Sequence, residues 1–270
     1  MQARNGRIFR LHHHLDRLAQ SATTLRLTQA LHVEPLAKAV QLTLEKNALR
    51  EARIRLTLTG GDLNLLQQGS GGAPRDPTIL IAAQPPTQYP EAMFTNGVRV
   101  AVAIGRANPL DPFAGHKSLW YWPRLAELRS AGGDGASEAI SFTVTNHLAS
   151  GCVSNVFLVK GDVVSTPFAR GEELEGALPA PVLPGVTRAT LIELAKAEGL
   201  TVERRMLTID DVLGADEVFL TNSSWGVLPI VAVEASRIGA GVPGARSKLL
   251  REAWSTCVER ETVATQPLAE

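Results

Sequence analysis

A single lysine, Lys117, is the first residue of this chain that could do covalent chemistry. It stands between a segment with two prolines and the aromatic run Trp120-Tyr121-Trp122. A lysine that forms a Schiff base with a carbonyl compound needs a partly desolvated place, because the neutral amine is the nucleophile. Taken alone, such a lysine is far more often a solvated surface residue. Other residues of the chain must therefore show whether Lys117 is a Schiff-base lysine or a surface residue.

A second candidate is an anion site at Leu183-Pro184-Gly185-Val186-Thr187, ahead of an amphipathic helical pattern. Backbone N–H groups at a helix start bind phosphates, and here a glycine permits close approach while Thr187 adds a hydroxyl. The alternative is an ordinary helix N-cap with a turn glycine. Ser223 and Ser224 follow an apolar strand pattern and could supply further donors. Arg17, on the first predicted helix, could add a charge-assisted bond to a phosphate.

These stretches together resemble the class IV aminotransferases. This family of pyridoxal-phosphate (PLP) enzymes includes branched-chain and D-amino-acid aminotransferases and aminodeoxychorismate lyase. The resemblance begins at Arg7-Ile8-Phe9-Arg10-Leu11, runs to near Pro229 and covers most of the chain. Its most specific parts are Leu183-Pro184-Gly185-Val186-Thr187-Arg188 and Ala215-Asp216-Glu217-Val218-Phe219. It implies an α/β protein of two domains, the PLP fold type IV, with PLP as the cofactor.

The resemblance also implies roles for individual residues. Lys117 matches the lysine that binds PLP and moves protons during turnover. Tyr121 resembles the tyrosine that hydrogen-bonds the ring hydroxyl, although related sequences place it one residue later. Asn155 belongs to the family's turn and is expected to shape it. The residues that match the family's phosphate site are Arg17, Gly185, Val186, Thr187 and Ser223.

One position departs from the family where the chemistry is sensitive. Ser150 stands where the family has a glutamate, and no acidic residue lies between Glu138 and Asp162. A carboxylate keeps the pyridine nitrogen of PLP protonated, which makes the ring a strong electron sink. A serine hydroxyl can only donate to a neutral nitrogen or accept weakly. Ser150 is therefore expected to contact the cofactor, and the ring is expected to be a weaker electron sink. Water or a residue from elsewhere in the fold could restore the missing interaction.

The resemblance leaves three functions open. The leading one is transamination between an amino acid and a 2-oxo acid, with Lys117 as the catalytic residue. The second is PLP-dependent β-elimination of the aminodeoxychorismate lyase type, which releases pyruvate and which a serine at position 150 favours. The third is a homologue that binds PLP or a partner without turnover.

Composition argues against several other classes of protein. The 270 residues include 27 Lys or Arg and 27 Asp or Glu, so the net charge is zero. A nucleic-acid partner or a membrane surface would favour a strongly basic face. No stretch approaches the ~18 apolar residues of a membrane span, and the two cysteines suit a reducing cytoplasm. Three consecutive histidines, residues 12–14, point about 100° apart on a helix, so no metal site is predicted.

Hydrophobic periodicity predicts the elements that must position these residues. Helices are predicted near 11–25, 33–47, 118–129, 186–198 and 244–261, and strands near 53–59, 78–83, 97–104, 139–145 and 154–160. A Gly-rich loop is predicted for residues 60–77, and Gly161-Asp162 is predicted to turn a hairpin.

We predict a small α/β domain at residues 1–107, an interdomain linker at 108–115 and a large PLP-binding domain at 116–270. Prolines and missing periodicity mark the linker. The chain begins where the family's first strands end, so the small domain is expected to be short of those strands. The resemblance further implies a homodimer, with loops of the partner chain helping to close the site.

Overall fold

The computed structural model of the chain describes residues 1–28, 31–61 and 77–263. Its helices are α1 (Leu11–Thr24), α2 (Val33–Lys46), α3 (Ala92–Thr95), α4 (Trp122–Gly133), α5 (Val186–Ala197), α6 (Ile209–Leu213) and α7 (Ala245–Thr262). Its strands are β1 (Gln2–Arg4), β2 (Arg7–Ile8), β3 (Ala52–Thr59), β4 (Thr78–Gln84), β5 (Val98–Ala107), β6 (Glu138–Thr143), β7 (Leu148–Gly151), β8 (Asn155–Lys160), β9 (Val163–Thr166), β10 (Thr201–Arg204), β11 (Glu217–Asn222), β12 (Gly226–Val233) and β13 (Ser236–Arg237). Within the described ranges, none of these helices has the length and apolar character to cross a membrane.

The chain divides into two compact units, and the division differs from the predicted one. Unit 1 comprises Met1–Thr87 and Val258–Glu270, and unit 2 comprises Gln88–Cys257. The boundary falls before residue 107 because β5 pairs with β12 and β6, which are both strands of unit 2. The predicted linker, residues 108–115, lies inside unit 2, where it forms turns. The mixed α/β character of the prediction is confirmed.

Unit 1 contains an antiparallel sheet with the strand order β2-β1-β3-β4, together with α1 and α2. The hairpin of β1 and β2 was not predicted. Its two-residue loop, Asn5-Gly6, has positive φ at both positions, as a type I′ turn requires. The Asn-Gly pair was therefore the sequence signal that the periodicity analysis missed. The predicted Gly-rich loop at 60–77 lies almost entirely outside the described residues.

Unit 2 is built on a mixed sheet with the order β10-β9-β8-β11-β12-β5-β6-β7, and β13 pairs with β12. Its central strands are buried on both faces of the sheet. Alternate side chains of a strand point to opposite faces, and each face packs in its own hydrophobic cluster. On β8, Val156 and Leu158 pack in one cluster, whereas Phe157 packs in the other with Leu191 of α5 and Leu250 of α7. This explains the continuous apolar run of the strand. The predicted hairpin at Gly161-Asp162 joins β8 to β9, which are antiparallel.

Helix α4 begins later than predicted. The segment from Ser118 to Tyr121 precedes the helix, Tyr121 is the N-cap residue, and Pro123 lies at the helix start. Proline is favoured there because the first N–H groups of a helix have no internal acceptor. Lys117 therefore lies in an irregular segment, several residues before the helix.

Candidate active site

Lys117 lies before α4, and its side chain is exposed. Its Nζ atom lies 5.4 Å from the centroid of the Tyr121 ring, within the range of a cation–π contact. The neighbouring indoles are exposed as well, Trp120 to 73% and Trp122 to 63%. The described residues of one chain therefore do not form the partly desolvated place that was expected for this lysine.

Two side chains at the start of α4 reach the end of β7 and the turn that follows it. The Tyr121 hydroxyl donates to the carbonyl oxygen of Cys152 at 3.1 Å. The Arg124 guanidinium donates from Nη1 to the Ser150 hydroxyl at 3.3 Å. Ser150 itself is only 2% exposed. The structure thus sets Lys117 beside Tyr121 and Tyr121 against Cys152, and it places Arg124, which the sequence did not single out, against Ser150.

A buried carboxylate shapes the same turn. Glu138 is fully buried, and its two oxygens accept hydrogen bonds at 3.0–3.1 Å from the N–H groups of Ala139, Cys152 and Val153 and from the hydroxyl of Ser154. Burial raises the pKa of Glu138, and the four donated hydrogen bonds oppose that shift. An acid inside an apolar strand pattern needs such partners. That pattern was the available sequence signal for this residue.

Glu138 does not replace the carboxylate that is missing at position 150. Ser141 of β6 and Ser150 of β7 are paired in register, so their side chains share one face of the sheet. Glu138 is three residues before Ser141 on the same strand, and side chains alternate between the two faces. Its carboxylate therefore lies on the face opposite the Ser150 hydroxyl.

The start of α5 and the loop after β11 contain the second group of predicted residues. Gly185 is the N-cap of α5, and no described side chain caps this end. The first N–H groups, beginning at Val186, have no acceptor within the helix. The Thr187 Oγ1 atom lies 3.2 Å from the Ser223 Oγ atom, so two hydroxyls converge near this N-terminus. Such an end, with added hydroxyl donors, suits a phosphate group.

Glycine is required at position 185 by the close approach of Asn155. A Cβ atom there would collide with the Asn155 side-chain oxygen. The Asn155 amide nitrogen donates to the carbonyl oxygen of Leu183 at 2.9 Å. Since Asn155 directly follows the turn that Glu138 holds, its amide joins that turn to the start of α5.

Asn222 joins the same turn to the loop that carries Ser223. Its amide nitrogen donates to the carbonyl oxygen of Val153 at 3.3 Å. Its side-chain oxygen accepts from the N–H groups of Ser224 at 2.8 Å and Trp225 at 3.0 Å, an Asx turn. This residue was also missed, although an asparagine at the end of a strand is a common turn signal. It fixes the backbone on either side of Ser223.

Arg17 is the one predicted phosphate residue that lies in unit 1, where it is a partly buried residue of α1. The other predicted phosphate residues, 185–187 and 223, lie in unit 2. The contact of Arg17 with the cofactor phosphate stays a prediction.

Known proteins resemble this chain over nearly its whole length. The family model for class IV amino-transferases matches residues 1–233, a range that contains every predicted site residue. A protein of Methanocaldococcus jannaschii, provisionally named a branched-chain-amino-acid aminotransferase, is 32% identical over 255 residues, which cover 93% of this chain and 83% of the relative. The D-alanine aminotransferase of Bacillus licheniformis is 28% identical over 263 residues, which cover 97% and 87%. The crystal structure of Escherichia coli branched-chain amino acid aminotransferase matches with a TM-score of 0.83 at 26% identity, covering 94% of this chain and 83% of that one.

The fold and the two groups of residues define an enzyme with a phosphate-bearing cofactor. The chain belongs to the class IV aminotransferases, whose cofactor is PLP. The described residues fit PLP in two respects: paired hydroxyls at a helix start suit its phosphate, and a lysine beside a tyrosine suits its aldehyde and phenol groups. The chain differs from the resemblance at position 150, where Ser150, with Arg124 donating to its hydroxyl, stands in place of the carboxylate.

Proposed function

We propose that the chain transfers an amino group between an amino acid and a 2-oxo acid at a site built from Lys117, Thr187 and Ser223. The observation that carries the proposal is the hydroxyl pair of Thr187 and Ser223 at the start of α5, in a chain that also sets Lys117 beside Tyr121. When bound, PLP supplies an aldehyde that condenses with amines and a ring that withdraws electrons. The relatives named for branched-chain amino acids and for D-alanine support an amino acid substrate.

The N-terminal end of α5 would hold the phosphate. The N–H groups of Gly185, Val186 and Thr187 would donate to its oxygens, and the positive end of the helix dipole favours its charge. The hydroxyls of Thr187 and Ser223 would donate from the side. Arg17 would add the fixed positive charge that the resemblance implies for it.

Lys117 is the catalytic residue. Its Nζ atom would hold the cofactor and, once displaced by the amine of the substrate, would take the proton from the substrate α-carbon and return it. The Tyr121 hydroxyl donates to the carbonyl oxygen of Cys152, so its oxygen is oriented and keeps lone pairs that can accept from the ring hydroxyl. Ser150 would face the ring nitrogen.

A lyase that releases pyruvate by β-elimination is the second candidate. The observation that favours it is Ser150, with Arg124 donating to its hydroxyl, at the place of the family's carboxylate. A ring nitrogen without a carboxylate partner withdraws electrons less strongly. Elimination then competes better with the longer proton transfers of transamination.

The enzyme is proposed to work as a homodimer in the cytoplasm. Large apolar side chains that are more than half exposed recur from the end of β5 to the start of α4: Ile104, Leu110, Phe113, Leu119, Trp120 and Trp122. Exposed apolar side chains in such number are typical of a protein interface. A partner chain over this segment would also desolvate Lys117. The cytoplasmic assignment is supported by Cys152 and Cys257, which are buried and form no disulfide.

The full-length protein tests both candidates. Visible absorption reports bound PLP, and borohydride reduction followed by peptide mass analysis should find the cofactor on Lys117. The Lys117→Ala variant should lose this label, whereas a control at an exposed lysine, Lys248→Ala, should keep it. Branched-chain amino acids and D-alanine should convert the cofactor to its aminated form. Pyruvate release without amination would favour the lyase, and a protein that carries no PLP would contradict both.

A further inference from the structure

Arg124 places a positive charge against Ser150, the residue that stands where the family has a glutamate. It follows Tyr121 by three residues at the start of α4, so both side chains project from the same face. Its Nη1 atom lies 3.3 Å from the Ser150 hydroxyl oxygen and 3.5 Å from the carbonyl oxygen of Gly151. These two contacts hold the guanidinium against the end of β7.

Two acidic side chains, Glu138 and Glu127, bond to backbone groups rather than to Ser150. Glu138 lies on the opposite face of the sheet, with both oxygens bound to the turn. Glu127, one turn after Arg124 on α4, accepts from the N–H groups of Ile104 at 3.1 Å and Gly105 at 2.9 Å. The Lys117 ammonium lies over the ring of Tyr121, the residue three positions before Arg124. Both carboxylates act electrostatically on Cys152, as Arg124 does, but the charged group that bonds to the Ser150 hydroxyl is the Arg124 guanidinium.

The hydrogen-bond roles at Ser150 follow from this arrangement. A guanidinium is only a donor, so the Ser150 oxygen accepts from Arg124 and its own hydrogen is left to donate. The lone pair of a neutral pyridine nitrogen is the matching acceptor. A protonated nitrogen would set donor against donor and place a cation beside a cation.

We propose that Arg124, acting through Ser150, keeps the pyridine nitrogen of bound PLP unprotonated. Arg124 is thus a positioning residue that reverses the sign of the charge next to the ring. The proposal rests on the proposed function, in which Ser150 faces the ring nitrogen. Its consequence is a ring that withdraws electrons less strongly than in relatives with a carboxylate.

The protonation state can be measured without any turnover. Full-length protein is loaded with PLP labelled with nitrogen-15, and its NMR shift distinguishes a neutral pyridine from a pyridinium. In parallel, binding of PLP is compared with binding of N-methylated PLP, which carries a permanent positive charge on the ring. We expect the neutral signal, and at least tenfold weaker binding of the methylated cofactor, equivalent to about 1.4 kcal/mol.

Variants separate charge from steric fit. Arg124→Met removes the charge at similar length and should reduce the discrimination between the two cofactors at least about threefold, roughly 0.65 kcal/mol. Ser150→Glu should shift the nitrogen signal toward pyridinium. Arg129→Met, at an exposed arginine of the same helix, should behave as the wild type.

The outcomes distinguish this proposal from the proposed function. A pyridinium signal in the wild type would overturn the role of Arg124, and so would undiminished discrimination in Arg124→Met. Binding of both cofactors with equal affinity would overturn it as well, while leaving the PLP site intact. A wild-type protein that binds neither cofactor would instead contradict the proposed function on which it rests.

Discussion

The hydroxyl oxygens of Thr187 and Ser223 lie 3.2 Å apart, although 36 positions separate the two residues in the chain. The pairing of β8 with β11 produces this proximity, because Asn155 at the start of β8 lies opposite Thr221 near the end of β11. Asn155 also contacts Gly185, which begins α5. Two loops at the same end of neighbouring strands thus meet at one helix N-terminus.

The hydroxyl pair predicts a measurable loss of PLP affinity. Thr187→Val and Ser223→Ala should each weaken binding about 10- to 100-fold, because a hydrogen bond to a charged group contributes about 1.5–3 kcal/mol. Thr187→Ser keeps the hydroxyl and serves as the control. Fluorescence titration of the protein with PLP measures the affinity. If both hydroxyl deletions bound PLP as the wild type does, the phosphate would lie elsewhere.

Gly185→Ala should destabilise the fold and weaken PLP binding together. The added Cβ atom collides with the Asn155 side chain, and relieving such overpacking costs about 1–3 kcal/mol. The double variant with Asn155→Ser should recover part of the loss, since the colliding amide is gone. Gly132→Ala is the matched control, because a Cβ atom there meets no neighbour within 4 Å. Thermal unfolding measures all three, and equal melting temperatures for Gly185→Ala and Gly132→Ala would contradict the account.

Local patterns sufficed to predict much of the fold. Helix α2 is observed at Val33–Lys46 against a prediction of 33–47, and α5 at Val186–Ala197 against 186–198. The apolar run of β8 and the start of α5 at Gly185 were likewise predicted from neighbouring residues alone. Helical periodicity, an N-cap glycine and a run of apolar residues are all properties of short segments.

Features that depend on distant pairings were missed. The unit boundary at 87/88 follows from β5 pairing with β12, and no property of residues 88–107 shows that partner. The roles of Arg124 and Asn222 arise in the same way, because each bonds to a turn far away in the chain. Ser150 was noticed as a departure from a family, but the charge beside it required the structure.

Glu138→Gln should change the pH dependence of stability in a defined direction. Burial raises the pKa of Glu138 above its ordinary value of 4.5, so the folded chain binds this proton more tightly than the unfolded chain does. The stability that the Glu138 carboxyl group contributes to the fold is therefore fully present below about pH 4.5. It is lost as pH rises through the raised pKa.

The wild type should be more stable than Glu138→Gln at low pH. This difference in the free energy of unfolding should become smaller as pH rises. The variant should cost about 1–3 kcal/mol at the acid end, because an amide nitrogen, unlike the hydroxyl oxygen of a protonated carboxyl, cannot accept a hydrogen bond from the turn. Glu252→Gln, at an exposed position of α7, is the control and should change the free energy of unfolding little. Urea unfolding at a series of pH values measures this. A gap that widened with pH would show that Glu138 is stabilised as a carboxylate.

The ion pair of Arg188 and Glu172 should protect the start of α5 against unfolding. The buried Arg188 guanidinium donates to both Glu172 oxygens, at 2.9 and 2.6 Å. Burial alone raises the pKa of Glu172, but the hydrogen bonds and charge of Arg188 outweigh it and lower the pKa. This contribution is present above the ordinary pKa and is lost as pH falls through the lowered one.

Arg188→Met should therefore cost about 3 kcal/mol at neutral pH, because Glu172 is left partly buried without its partner. The loss of stability on acidification should be smaller in this variant than in the wild type. Arg204→Gln removes a more exposed partner of Glu172 at 3.5 Å and should cost less than about 1 kcal/mol. Melting temperatures at pH 7 and pH 4 test both. If the two variants were equally stable, the buried pair of Arg188 and Glu172 would contribute no more to stability than the exposed pair of Arg204 and Glu172.

The proposed dimer predicts that Trp120→Glu yields a folded monomer. Trp120 is 73% exposed in the single chain, so the substitution disturbs no core packing. Aromatic anchors at the centre of an interface contribute about 2 kcal/mol or more, so the dimer should dissociate at least about 30-fold more readily. Val242→Glu, at a residue 63% exposed and outside the segment between β5 and α4, is the control and should leave the dimer intact. Sedimentation measures the mass, and a wild type that sediments as a monomer would refute the interface. A monomeric Trp120→Glu that also loses the borohydride label on Lys117 would tie desolvation of the lysine to the partner chain.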